Sequence, residues 1–299
     1  MCGVESPDRQ SSLRLLAVVG HPDDETFDIG GTLALYARRG VEVHVICATL
    51  GEAGEAPPDL RGFATAAEMR QDEMRAATDI LGVKAVHFLG YRDSGMPGWP
   101  DSEHPQSLLS APLEEVALRI ATLIRQIRPQ VVITFDSVGT YGHPDHVAIH
   151  RATNSAFTLA GDPAIDAGGS PPYSPVKLYY NFPSRRALRW TVRFLWLFGQ
   201  DPHRFGTNRD IDLAAVAKVN YPVHASISIR EVEQLKVEAT AQYISQTGGN
   251  SRADRIAGYV GFLQYWVGLQ NWRGGYETYM RAIPPARPRY VERDLFEGI

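Results

Sequence analysis

Along the first half of the chain, short apolar runs alternate with stretches in which apolar residues recur every three or four positions. The runs Leu15–Val19, Val41–Ala48 (VEVHVICA), Lys84–Phe88 and Val131–Phe135 (VVITF) have strand length and β-type composition. Helices are predicted between and after them. These are Gly31–Arg39, stopped by Gly40; Ala66–Leu81, whose Met69, Met74, Ala77 and Leu81 can share a buried side; Leu113–Ile127; and a helix starting near Pro144. Such alternation builds a sheet from right-handed βαβ units, so the fold expected is α/β, with a mostly parallel sheet flanked by helices. The C-terminal part is less regular. It offers strands at Val176–Asn181 and His224–Ile229, a helix at Arg230–Tyr243, and a helix or flap at Ala187–Phe198.

Two stretches stand out as loops. Leu50–Gly62, rich in Gly and Pro, is long for a simple connection, and long loops in compact domains are often functional. Gly161–Pro175 reads as surface loop rather than as a linker between domains. The expected organisation is therefore a disordered polar tail over 1–12 and a single domain over 13–299, in which 161–224 forms a loop- and flap-rich region on the substrate side.

Composition narrows the class of partner. With 44% hydrophobic and 21% charged residues the chain is an ordinary globular protein rather than a disordered or coiled-coil one. A net charge of -4 and the lack of any Lys/Arg run remove the electrostatic footprint for nucleic acid, leaving a small molecule as the expected partner. Two cysteines, Cys2 and Cys47, do not make a disulfide framework and fit a reducing compartment, so a cytoplasmic location is expected. No signal peptide is evident. Leu13–Gly20 is too short to span a membrane and carries Arg14, and the aromatic stretch Arg189–Phe198 (RWTVRFLWLF) is also short and carries two arginines. Lying on a membrane or on a substrate stays open for that stretch.

The chemistry-bearing residues follow strands. His21-Pro22-Asp23-Asp24-Glu25 comes directly after the first strand, and Gly142-His143-Pro144-Asp145-His146 follows the fourth. Ligands in open α/β sheets bind outside the carboxyl ends of strands, so the two motifs are expected to face each other. Two imidazoles and a carboxylate suffice for a catalytic zinc that keeps a fourth position for water. The expected ligands are His21, Asp24 and His146. Asp23, beside them but not one of them, can take the proton of a water whose pKa the metal has lowered. If Pro144 is the first helical residue, His143 caps the helix and, as imidazolium, can stabilise the oxyanion of a tetrahedral intermediate. Asp145 is expected to orient a histidine and keep it protonated.

These motifs, with TLGEAGE (Thr49–Glu55), RQDE (Arg70–Glu73), YRDSGM (Tyr91–Met96) and YGHPDHV (Tyr141–Val147), resemble the PIG-L/LmbE family of de-N-acetylases. That family takes in N-acetylglucosaminylphosphatidylinositol deacetylases, the mycothiol-pathway deacetylase and amidase, and antibiotic-tailoring deacetylases. The motifs span 13 to about 160; the later chain resembles the family only loosely, through Val232–Gln246 and Tyr276–Met280. The resemblance implies a Rossmann-like fold with no dinucleotide and zinc on His21, Asp24 and His146, with Fe2+ or another divalent ion as alternatives. It also implies Asp23 as general base and His143 as electrostatic stabiliser. Tyr141 matches a tyrosine that helps polarise the carbonyl, and Glu52, Arg70 and Asp93 match positions that hold sugar hydroxyls. The function implied is removal of an N-acyl group, the acetyl of an amino sugar or related small amide, by a zinc-bound water.

Plainer readings stand beside these. Arg70 can pair with Glu73 on an exposed helix face, and Glu52 and Asp93 can be turn carboxylates. His150, one turn beyond His146, is read as supporting or solvated, His44 and His87 as structural, and His224 as an outside candidate for substrate contact. The rival functions are an amidase on a thiol conjugate, a non-catalytic sugar- or metal-binding domain, and a non-haem iron oxygenase, whose two-histidine, one-carboxylate triad has the form His-x-Asp with a distant His, a pattern that His21-Pro22-Asp23 fits literally. The segment Arg185–Asn208, aromatic and rich in arginine, departs from the family pattern.

Overall fold

The computed structural model describes residues 13–54, 59–182, 185–205, 211–247 and 275–299. The tail expected over 1–12 lies outside the described residues. Seven strands make one sheet: β1 (Arg14–Val19), β2 (Glu42–Thr49), β3 (Ala85–Tyr91), β4 (Val131–Phe135), β5 (Lys177–Asn181), β6 (Ala225–Ser228) and β7 (Tyr276–Ile283). Their order across the sheet is β3-β2-β1-β4-β5-β7-β6. The first five pair in parallel, with β1 between β2 and β4, while β7 runs antiparallel to both β5 and β6. The strand order reverses between β1 and β4, and that switch point is where the two histidine motifs leave the sheet.

Helices α1 (Asp24–Arg38), α2 (Ala66–Leu81), α3 (Leu113–Ile127) and α4 (Pro144–Leu159) connect the parallel strands. For α2 and α3 the apolar periodicity gives the observed bounds, because each has one buried face and a solvated one. Thr65 caps α2 through its hydroxyl, and Gly82 ends it in the left-handed conformation. Helix α1 is a correction. It starts at Asp24, seven positions ahead of the expected Gly31, because every residue from Asp24 to Tyr36 is buried and no polar face exists to set a period. Asp24 and Glu25 occupy its first turn, where the helix dipole favours carboxylates.

Beyond β5 come α5 (Arg185–Leu197), α6 (Leu213–Val216), α7 (Glu233–Thr240) and α8 (Ile244–Thr247). Where a helix over Arg230–Tyr243 is expected, α7 covers only Glu233–Thr240, and α8 begins just beyond it at Ile244. The break after Thr240 turns Tyr243 inward, where its hydroxyl donates to Glu25 Oε1 at 2.5 Å. The C-terminal strand β7 ties this half to the parallel half. Glu277 accepts from the backbone N–H groups of Gly31 and Thr32 on α1 and from Lys236 Nζ on α7. A side chain at Gly31 would collide with Ile229, so the close approach of α1 to this region requires glycine there.

His44 on β2 and His87 on β3 stack with ring centroids 5.7 Å apart, Nδ1 of one facing Nε2 of the other at 3.4 Å. Burial, and then His87, pushes the His44 imidazole down from 6.5 to about 4. The folded state therefore holds His44 neutral while the unfolded chain binds a proton below 6.5, so stability falls as pH drops from 6.5 towards 4. Thermal melts of the parent and of His44→Gln across that window should show a shallower acid decline for the variant. Parallel curves would contradict a role for this pair.

Candidate metal centre and active site

The loop after β1 and the loop after β4 bring three ligand atoms to one point. His21 Nδ1 lies 3.1 Å from His146 Nε2 and 3.4 Å from Asp24 Oδ2, and His146 Nε2 lies 3.3 Å from the same oxygen. All three residues are buried. A tetrahedral shell with bonds near 2.05 Å has ligand-to-ligand edges of about 3.3 Å, so this triangle has the size of one coordination face. Gly20 lies against it: a Cβ there would touch His146 Cδ2 and approach Asp24 Oδ2.

Local structure explains each position. Asp24 opens α1, and its Oδ2 accepts from the His21 N–H at 2.7 Å, folding the HPDD turn back on itself. His146 sits one residue inside the first turn of α4, its ring stacked flat on Phe135 at 3.9 Å, at the end of β4. On its other edge His21 Nε2 meets Asp145 Oδ2 at 3.1 Å and Asp93 Oδ1 at 3.4 Å. Asp145 Oδ2 also accepts from Ser94 N–H, and Asp93 Oδ1 from Gly95 N–H. A proton on His21 Nε2 donated to these carboxylates leaves Nδ1 free to bind a cation. Burial alone would lower the His21 pKa, but the charge of Asp93 and the hydrogen bonds of Asp145 and Asp24 raise it well above the usual range. Burial would raise Asp24, and His146 followed by His21 instead holds it well below the usual carboxylate range.

Two other trios among the described residues bring three possible ligand atoms within 4.8 Å: His21-His143-His146 and His21-Asp93-Asp145. In the second, the carboxylates already accept backbone N–H groups and face the protonated edge of His21. In the first, His143 has its Nδ1 occupied by the Asp145 N–H at 3.2 Å.

His143 is the N-cap of α4 with Pro144 as the first helical residue, as the sequence predicts. Its charge state differs from the imidazolium expected. Burial, then the neighbouring His21 and His146, push its pKa well below the usual value, so the ring is neutral. Nδ1 accepts a backbone N–H, which puts the proton on Nε2. The histidine that the Asp145 carboxylate meets is His21. Tyr141 stands edge-on to His146 and His143, with centroids 5.3 and 5.9 Å away. Burial first, and Asp24 next, keeps its hydroxyl protonated. Gly142, at φ 98°, supplies the left-handed turn between Tyr141 and His143.

Asp23 has a non-glycine φ of 131°, a strained conformation costing about 1–3 kcal/mol unless the surroundings impose it. Two groups do. Arg70 Nη2 donates to Pro22 O at 2.8 Å and to Asp23 Oδ2 at 3.1 Å, and Glu25 Oε2 accepts the Asp23 N–H at 3.2 Å. Burial pushes the Asp23 carboxyl well above the usual range against the pull of Arg70. Burial also lifts Glu25 from 4.5 to about 7. Arg70 thus does not pair with Glu73 on an exposed face. It is buried, its Nη1 donates to Gly51 O at 2.7 Å, and Glu73 instead accepts from Ser245. A side chain at Gly51 or Gly54 would enter the guanidinium.

A cleft opens over these groups, walled by His21, Asp23, Arg70, Asp93, Tyr141 and His143 and extended by Trp99, Ile211 and Gln246. The last three carry no motif, and the sequence pattern gives no sign of them. Glu52 accepts the Asp93 N–H at 3.0 Å and lines an adjoining cavity instead. His150 turns away to Phe135 O, and His224 Nδ1 accepts from Arg281 N–H. Neither reaches the cleft.

The profile of the GlcNAc-PI de-N-acetylase (PIG-L) family matches residues 16–157. A 1D-myo-inositol 2-acetamido-2-deoxy-alpha-D-glucopyranoside deacetylase of Thermomonospora curvata is 42% identical over 96% of this chain and 97% of its own length. The chain belongs to the PIG-L family. The N,N'-diacetylchitobiose deacetylase of Pyrococcus horikoshii shares the fold, with a TM-score of 0.62 over 91% of this chain and 84% of that one at 20% identity. So does the 4-carboxy-2-hydroxymuconate hydratase GalB of Pseudomonas putida KT2440, at 0.59 and 19% identity over 92% of this chain and 98% of its own. A fold shared with a hydratase does not fix the chemistry, which has to be read from the site.

Breaking the buried Arg70–Asp23 pair leaves a carboxylate uncompensated. Arg70→Met should lower stability by about 3–5 kcal/mol in urea unfolding; a loss below about 1 kcal/mol would show that the pair does not hold the Asp23 turn.

Proposed function

We propose that the protein is a metal-dependent N-deacetylase that hydrolyses the acetamide of an N-acetylglucosaminyl inositol glycoside, with Zn2+ on His21, Asp24 and His146. The observation that carries this reading is the triangle of His21 Nδ1, His146 Nε2 and Asp24 Oδ2, with the Asp23 carboxylate immediately beside it on the same turn. Two imidazole nitrogens and a carboxylate oxygen suit zinc, and they suit Fe2+ as well. The inositol glycoside follows from the names of relatives that match nearly the whole chain.

The bound cation would supply a water acidified towards neutral pH and a Lewis acid for the amide carbonyl. The chain's own groups do the rest. With Oδ2 held by Arg70, Asp23 takes the water's proton on Oδ1, and the burial that raises its pKa makes it a stronger base than a solvated carboxylate. His143 donates Nε2–H to the oxyanion as a neutral imidazole, and the Tyr141 hydroxyl offers a second donor. Collapse breaks the C–N bond, and Asp23 returns its proton to the departing amine. Asp93, beside His21 and in the cleft wall, would accept sugar hydroxyls, and Glu52, on the adjoining cavity, would hold a more distant part of the glycoside. Arg70 acts on substrate through Asp23.

Acetate release from 1D-myo-inositol 2-acetamido-2-deoxy-α-D-glucopyranoside tests the reading. Activity should vanish with a chelator and return with Zn2+. Asp23→Asn should keep the metal, measured by atomic emission, and lose about 10²–10⁴-fold in kcat, whereas His146→Ala should lose the metal itself. Equal metal loss in both variants would refute the division of roles.

A further inference from the structure

We propose that α5 carries a docking surface for an anionic lipid bilayer. The helix is apolar on two opposite sides. Leu188, Val192 and Leu195, spaced by three and four, pack on Leu213, Val216 and Ala217 and form the small core that holds α5 to α6. The side away from this core carries a second set of large apolar groups. Phe194 is 51% exposed, Leu197 76%, and Phe198, just past the helix end, 75%; Trp196, 61% exposed, lies on another side of the helix against His203. Phe194, Leu197 and Phe198 stand at i, i+3 and i+4, so they form one patch rather than scattered contacts. Contiguous exposed aromatic and aliphatic groups of this kind mark an interaction site.

Charge identifies the occupant. Arg185–Phe198 contains four arginines and no carboxylate, in a chain whose net charge is -4. Arg193 is exposed beside the apolar patch, its guanidinium over the Trp190 ring at 5.1 Å, while the exposed Arg189, one turn earlier, donates to Ala217 O and Asn220 Oδ1. A second copy of the chain would bring the same arginines together across a two-fold axis, which like charge opposes. A bilayer rich in anionic headgroups accepts both features at once: the apolar groups enter the boundary between headgroups and acyl chains, and the arginines remain at the phosphate level. Among the described residues no helix is long and apolar enough to cross a membrane, so the contact is peripheral.

The core side of α5, opposite the patch, adjoins the cleft. Following α5, Phe205 pairs with Ile211 in an antiparallel bridge, and Ile211 is part of the cleft wall. This inference does not depend on the reaction proposed above, since binding is read without turnover.

Co-sedimentation of the full chain with sucrose-loaded vesicles decides the matter. The protein should sediment with mixed phosphatidylcholine–phosphatidylglycerol vesicles, less so with phosphatidylcholine alone, and binding should weaken as salt is raised. The double variant Phe194→Ser, Leu197→Ser should bind at least roughly tenfold more weakly, since each fully buried apolar side chain contributes a comparable factor or more. Its melting temperature should match the parent's. Arg193→Glu, which leaves the apolar patch in place, should lose the preference for anionic vesicles. Absence of parent binding, equal binding to both vesicle types, unchanged binding of either variant, or a lowered melting temperature showing that the patch packs inside the protein would each overturn the proposal.

Discussion

Two buried imidazole nitrogens, His21 Nδ1 and His146 Nε2, face each other at 3.1 Å with a carboxylate oxygen completing the triangle. One proton between them makes an ordinary hydrogen bond, and a shared cation would join both nitrogens to the carboxylate oxygen as well. Much of the molecule is arranged to keep that contact. Parallel pairing of β1 with β4 sets the two loops side by side, α1 and α4 start within these loops, and Asp145 and Asp93 fix the far edge of His21.

Around this point the protein concentrates strain and charge where chemistry requires them. Asp23 is forced to a positive φ by Arg70 and Glu25 on two sides, and the burial that lifts its pKa comes from the same packing. Glu25 in turn is reached by Tyr243 from the irregular C-terminal half. The helices after β6 are thus connected to Asp23, the proposed general base, by one carboxylate, and a change in α7 or α8 can be felt at Asp23 without touching it. The glycines at 51 and 54 belong to this arrangement because the guanidinium of Arg70 occupies the space their side chains would need.

The sequence is most legible where a single buried face or a capping residue sets the pattern. Helices α2 and α3, strand β4 and the Pro144 start of α4 lie where periodicity and capping put them. The start of α1 was hidden because the helix is buried all round, and the break between α7 and α8 depends on a tertiary contact of Tyr243 that no local signal contains. The convergence of the two HPD motifs was readable because both follow parallel strands. The protonation of His143 was not, since it depends on burial beside two other histidines and on a backbone donor at Nδ1. The fate of Arg70 was equally beyond the sequence: its spacing to Glu73 suggested a helix-surface pair, while its partners come from loops 19 and 47 residues away.

Membership of the PIG-L family sets the reaction class, and the geometry assigns work to residues within it. The central claim is that Asp24, rather than Asp93 or Asp145, completes the cation site with the two histidines. Calorimetric titration of Zn2+ into the metal-stripped protein tests it directly. The account predicts one site per chain in the parent, no stoichiometric binding in Asp24→Ala, and a retained site in Asp93→Ala; full binding by Asp24→Ala together with its loss in Asp93→Ala would contradict it.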